Sequence, residues 1–129
     1  FQNTEHTDTH ATAVTPSGET TAMYSTVRRG LKWACLSVGE EIELADSHGA
    51  VVYHAVVADV RVLRFCDLAL HPGLVLANHD KDCRRYPTLL RRMASVYQKP
   101  LQKETATTEV FYPGFSSEEI VTVVAYTLL

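Results

Sequence analysis

No run of apolar residues in this chain approaches the roughly 20 that a membrane-crossing helix needs, and its start carries no signal-peptide pattern. The chain opens on Phe1 rather than Met, so a longer precursor or a trimmed form is expected, and a removed targeting segment stays open. Cysteine is scarce. Cys35, Cys66 and Cys83 are odd in number, far apart and form no C-x-x-C pair. That pattern supports neither a disulfide framework nor a zinc site. Reduced, mostly buried thiols are expected instead, which places the chain in the cytoplasm or another reducing compartment. There is no G-x-S-x-G, H-E-x-x-H, P-loop or dinucleotide-binding glycine pattern, and no internal repeat. No cofactor, metal or membrane partner is therefore called for.

What the chain does have is enough length and apolar content for one domain. It holds 129 residues, 46% of them hydrophobic and 21% charged, which suffices to bury a core without staples. A net charge of −3 excludes a protein that coats nucleic acid by bulk charge. The distribution is more telling than the sum. Lys81, Arg84, Arg85, Arg91, Arg92, Lys99 and Lys103 face a single acid, Asp82, in one segment, so the rest of the chain is acidic. Such asymmetry points to an anionic partner.

Residues 1–16 read as an irregular polar arm and residues 17–129 as the domain. The polar, Thr-rich character of the arm runs on to Thr21, with room for one short strand. His6 and His10 stand four apart, but the threonines around them disfavour the helix that would align them as ligands. A short strand is expected at 23–28, followed by a turn at Arg29-Gly30. Val38-Gly39-Glu40 turns into a strand at 41–45, and Asp46-Ser47-His48-Gly49 is a hairpin turn. Residues 51–65 give the longest β signal, with Val60 and Val62 alternating against Asp59 and Arg61, and a strand so long is expected to bend or bulge. Pro72-Gly73 reads as a turn. Pro87 opens a helix reaching about Lys99, with Leu89, Leu90, Met93, Val96 and Tyr97 as its apolar stripe and Pro100 as its stop. Residues 101–109 read as a loop, Ser116 or Ser117 caps one helical turn, and 120–129 is a closing strand. The order predicts an α+β fold: a small, mostly antiparallel barrel of five to seven strands with one or two flanking helices.

Two basic groups carry the chemistry. Lys81, Arg84, Arg85, Arg91 and Arg92 surround the start and outer face of the helix, where bidentate phosphate contacts are available to each arginine. Arg28, Arg29 and Lys32 stand beside Trp33, and an aromatic next to cations suits a stacked base with phosphate contacts. The competing reading makes Trp33 a core residue and the charges a solvated face. His54 fits a partnered histidine within a strand, whereas His71 and His79 lie near Asp80 and Asp82 as a candidate acid–base pair.

Four stretches together resemble the ASCH domain, a branch of the PUA-like barrels. Ser17-Gly18-Glu19-Thr20-Thr21 is similar to the family's S-G-x-K-T segment, and Thr26-Val27-Arg28 to the T-I-R that follows. Val38-Gly39-Glu40 stands where the family has V-G-D, and the end of the chain from Val121 resembles the closing V-x-V-I-x-F strand. The resemblance implies a PUA-like barrel with a cleft beside the helix that recognises RNA or a modified nucleoside. It also implies an alternative, since some members remove acyl groups from N4-acylated cytidine with a Lys, a Thr and a Glu. Thr26 matches the threonine, and the carboxylate falls near Asp80 or Asp82. The lysine does not carry over: its place holds Thr20 or Met23, and Lys32 is the nearest one downstream. RNA or nucleotide binding is thus expected ahead of hydrolysis by Thr26, Lys32 and Asp82, with a protein-interaction module as the third reading.

Overall fold

The computed structural model describes residues 11–15, 17–46, 48–97, 99–100, 111–112 and 114–129. His6, His10, Lys103 and the expected loop at 101–109 lie outside them. In chain order the elements are β1 (Thr12–Val14), β2 (Thr20–Arg29), β3 (Glu41–Ala45) and β4 (Val51–Arg64), then a 3-10 turn (Phe65–Leu70) and α1 (Pro72–Leu76). A second 3-10 turn (Lys81–Cys83), α2 (Tyr86–Val96), β5 (Lys99–Pro100), β6 (Phe111–Tyr112) and β7 (Ile120–Leu128) follow. The fold is α+β. Five strands make one antiparallel sheet in the order β1-β2-β7-β4-β3, and β5 pairs with β6 apart from it. No pairing joins β1 to β3 among the described residues, so the sheet is open at both ends of that order.

The hairpin between β3 and β4 forms because Asp46 Oδ1 accepts from the N–H groups of His48 and Ala50, at 2.8 and 3.0 Å, while Gly49 takes φ 84°. β4 does bulge: its register against β7 shifts between Val57 and Asp59, so Ala58 is the extra residue. The shift keeps Val60 on the face of Ala55 and Val57, packed against the core they belong to. Val62 departs from the expected buried face and lies 49% exposed. β3 pairs only as far as Val56, so the later half of β4 is an edge whose face runs out of cover. Charges guard that edge, with Arg61 on Asp59 and Arg64 near Asp67 and Glu118.

β7 lies at the centre, buried from Val121 to Thr127, with a core on each face. One core gathers Val27, Phe65, Leu68, Leu89, Met93 and Val123; the other gathers Tyr24, Ile42, Leu44, Val57, Val124 and Tyr126. Helix α2 lies on the first. Leu89 and Met93 are buried, with Tyr86, Leu90 and Tyr97 partly so, all on one side of the helix. Val96 falls at the margin of that stripe and is 64% exposed, contrary to the sequence reading.

Three boundaries also differ. Pro72 sits in the first turn of α1 rather than in a Pro-Gly turn, where its missing N–H costs nothing. α2 stops at Val96, with the Tyr97 N–H closing on the Met93 carbonyl, and Lys99 belongs to β5. Pro100 disfavours helix in the residue before it, so the end comes early. Ser116 and Glu119 close a turn rather than a helix: Ser116 Oγ accepts from Glu118 N–H, and Glu119 Oε2 accepts from Ser116 N–H. No helix among the described residues is long and apolar enough to cross a membrane.

Candidate functional site

β1 covers only the start of β2, with pairings from Thr20 to Ala22. Further along, the vacant edge of β2 is taken by the chain between α1 and the second 3-10 turn. Ser25 N–H donates to Ala77 O at 2.9 Å, and His79 N–H donates to Ser25 O at 3.0 Å, a parallel bridge centred on Asn78. Ser25 is fully buried and its hydroxyl donates to Leu74 O at 2.6 Å, which fastens the same strap. The strap then turns on its own side chains. Asp80 N–H donates to Asn78 Oδ1 at 3.0 Å, and Asp82 N–H to Asp80 Oδ1 at 2.9 Å. Arg84 Nε donates to Asn78 O at 2.9 Å, tying the next turn back to it.

Between β2, this strap and α2 lies a cleft of about 220 Å³. β2 supplies Thr26, Val27 and Arg28, and the strap supplies Asn78, His79 and Asp80. Arg92, Val96 and Tyr97 come from α2 and its end, while Cys83, Leu89 and Met93 give the apolar part of the lining. Thr26 is 5% exposed and Asn78 3%. Arg92 crosses to Asp80, with Nη1 3.2 Å from Oδ2. Tyr97 is held by the Arg29 N–H, which donates to its hydroxyl at 3.2 Å, and by Phe115, whose ring stacks 5.9 Å away. The Arg29 guanidinium lies over the Tyr97 ring at 5.6 Å and pairs with Glu119.

Burial lowers the Arg28 guanidinium from its ordinary value, opposed by Tyr97 and Tyr126, yet an arginine remains charged at any physiological pH. A partly desolvated cation in a cleft attracts an anion more strongly than one in bulk water would. Burial, reinforced by Asp80, raises the Cys83 thiol, so it lines the cleft as a neutral, unreactive group.

The structure divides the residues singled out from sequence. Thr26, Arg28 and Arg92 share the cleft, and Arg29 braces its wall. Lys32 is exposed, with Nζ 5.0 Å from the Trp33 ring, and Trp33 packs against the second core; neither lines the cleft. Asp82 is exposed, and the carboxylate in the cleft is that of Asp80. Lys81, Arg85 and Arg91 are exposed, and Arg84 and Arg85 border a separate groove with Leu76 and Tyr86. His54 faces Glu41 at 3.5 Å on the surface, and His71 stands 3.5 Å from Arg61, away from His79. Sequence reasoning missed Asn78 altogether. The available signal was a polar Asn-His-Asp step directly after the apolar Leu74–Ala77 stretch.

Among the described residues no group of three or more His, Cys, Asp or Glu could hold a metal ion. Comparison of the chain with models of protein families, with curated proteins and with solved structures finds no match in any of the three.

Proposed function

We propose that this chain is a PUA-like domain of the ASCH type that binds RNA or a nucleotide in the cleft between β2, the strap and α2. The observation that carries the reading is the meeting of Thr26 and Arg28, from the stretch similar to T-I-R, with Arg92 and Tyr97 of the helix in one cleft. Its volume falls below the roughly 300–1,000 Å³ of sites for drug-sized ligands, which suits one base or one phosphate-bearing fragment. The rest of a strand would lie outside, along a surface where Lys81, Arg85 and Arg91 are exposed. Arg92 is half exposed, and an ion pair of that kind contributes only about 0–1 kcal/mol, so a phosphate can draw Arg92 away from Asp80. The antiparallel five-stranded sheet with α2 beside it supports the reading in its strand content and helix placement, although the sheet is open between β1 and β3 among the described residues.

Binding is favoured over hydrolysis of an N4-acylated cytidine. Thr26 and Asp80 supply a hydroxyl and a carboxylate, but Lys32 stands over Trp33, and no lysine is among the described residues that line the cleft. A fixed cation near the oxyanion is then left to Arg28, which cannot serve as a base. The test is binding of single-stranded RNA at two salt concentrations. Affinity should fall with salt, and Arg92→Gln should lower the slope of log K against log salt by about 1. Salt-insensitive binding, or none at micromolar protein, would favour a protein-interaction module instead.

A further inference from the structure

A groove of about 240 Å³ lies where the first 3-10 turn, α1 and the start of α2 meet, and it shares no lining residue with the cleft. Its deepest lining belongs to the first core: Leu68 is 1% exposed and Val75 5%. Leu74, Val75 and Leu76 are consecutive in α1, and consecutive helical side chains point roughly 100° apart, so not all three can enter that core. Leu76 is the one left out, 57% exposed at the groove, and Leu70 at the end of the 3-10 turn is 77% exposed.

The charge beside this apolar lining has one sign. Arg84 and Arg85 are its only charged members. Arg84 spends its Nε on the Asn78 carbonyl. Arg85 is exposed, and its side chain makes no ion pair or hydrogen bond among the described residues. Arg85 also stands at the N-cap of α2 without a side-chain cap, and the first turn of that helix holds no acid. The positive end of α2 is therefore uncompensated at the same place.

We propose that this groove docks a peptide segment of a partner protein in which a large apolar side chain stands next to Asp or Glu. The apolar side chain fills the groove over Leu68 and Val75, and the carboxylate meets Arg85. The volume lies below that of sites for drug-sized ligands and suits one anchoring side chain. An RNA strand would match the arginines but has no aliphatic side chain to bury. The Tyr86 ring, the groove's one aromatic, is already packed on Phe65 with centroids 5.2 Å apart. Burial of the anchor thus supplies affinity, and Arg85 selects the sign of its neighbour.

The experiment is selection of random twelve-residue peptides displayed on phage, run in parallel on the wild-type chain and on Arg85→Glu. Arg85 is exposed, and a carboxylate suits a helix N-terminus, so the variant should fold, which thermal unfolding checks. Wild-type selections should converge on Leu, Ile, Phe or Met beside Asp or Glu, and Arg85→Glu selections should exchange the acid for Lys or Arg. The winning wild-type peptide, titrated by NMR, should move the amides of Ala69, Val75, Leu76 and Tyr86 and leave Thr26 and Arg28 still. Leu76→Ser, which leaves every residue of the cleft in place, should weaken that peptide about tenfold or more. No convergence, a consensus without an acid, or the same acidic consensus from Arg85→Glu would overturn the proposal. So would shifts in the cleft instead of the groove. Groove resonances that move when the free protein is diluted would overturn it in favour of a second copy of this chain.

Discussion

β2 and β7 lie side by side in the sheet, and a buried threonine on each is answered differently. On β7, Thr122 is fully buried and spends its hydroxyl on the Gly30 carbonyl. On β2, Thr26 is almost as buried, and no hydrogen bond answers its hydroxyl among the described residues. The first fastens the end of β2 to the central strand. The second contributes nothing visible to holding the chain together, although removing it from bulk water costs free energy. Burial alone thus does not separate structural polar residues from functional ones.

The largest effect expected from breaking this comparison is on the apolar support that both strands share. Phe65 is fully buried between Tyr86 and Phe115, with ring centroids at 5.2 and 5.3 Å. Phe65→Ala should cost about 3–5 kcal/mol in denaturant unfolding. The two threonines give the next largest contrast. Thr122→Val orphans the Gly30 carbonyl and should cost about 1–3 kcal/mol. Thr26→Val removes no internal bond and should leave stability within about 0.5 kcal/mol while weakening nucleotide binding. Equal losses at both positions would erase the distinction.

A smaller and more gradual effect should appear with pH. Burial raises both the Cys83 thiol and the Tyr126 phenol above their ordinary values of 9.0 and 10.0. The unfolded chain ionises at those ordinary values while the folded chain resists. Their contribution is therefore fully present at neutral pH and lost as pH rises above about 9 toward the folded-state values. Thermal unfolding scans across the alkaline range should show the midpoint falling, and Cys83→Ala should blunt the early part of the fall.

Much of the frame was legible in the sequence because it rests on local rules. The turn at Val38-Gly39-Glu40 marked the start of β3, alternation and length marked β4, Asp46 and Gly49 marked their hairpin, and Pro87 marked the start of α2. The length of β4 announced its bulge. The site was legible in halves. Thr26, Arg28 and Arg92 stood out by residue type and by the family resemblance, but Asn78 is placed by a bridge to Ser25 that no local pattern encodes. The basic segment was misleading as a unit. Secondary structure sends Arg92 into the cleft, Arg84 and Arg85 to another groove and Arg91 to solvent. Helical spacing also overstated Val96, since it fixes an angle around the axis and not how far the neighbouring sheet extends.

The central claim is that one cleft, and not the basic surface at large, holds the ligand. Amide chemical-shift mapping with a short single-stranded RNA tests it most directly. The largest changes should fall on Thr26, Arg28, Asn78, His79, Arg92 and Tyr97, with smaller ones along Lys81 and Arg85. Changes confined to Arg84, Arg85 and the Leu76 groove, with Thr26 and Asn78 unmoved, would contradict it.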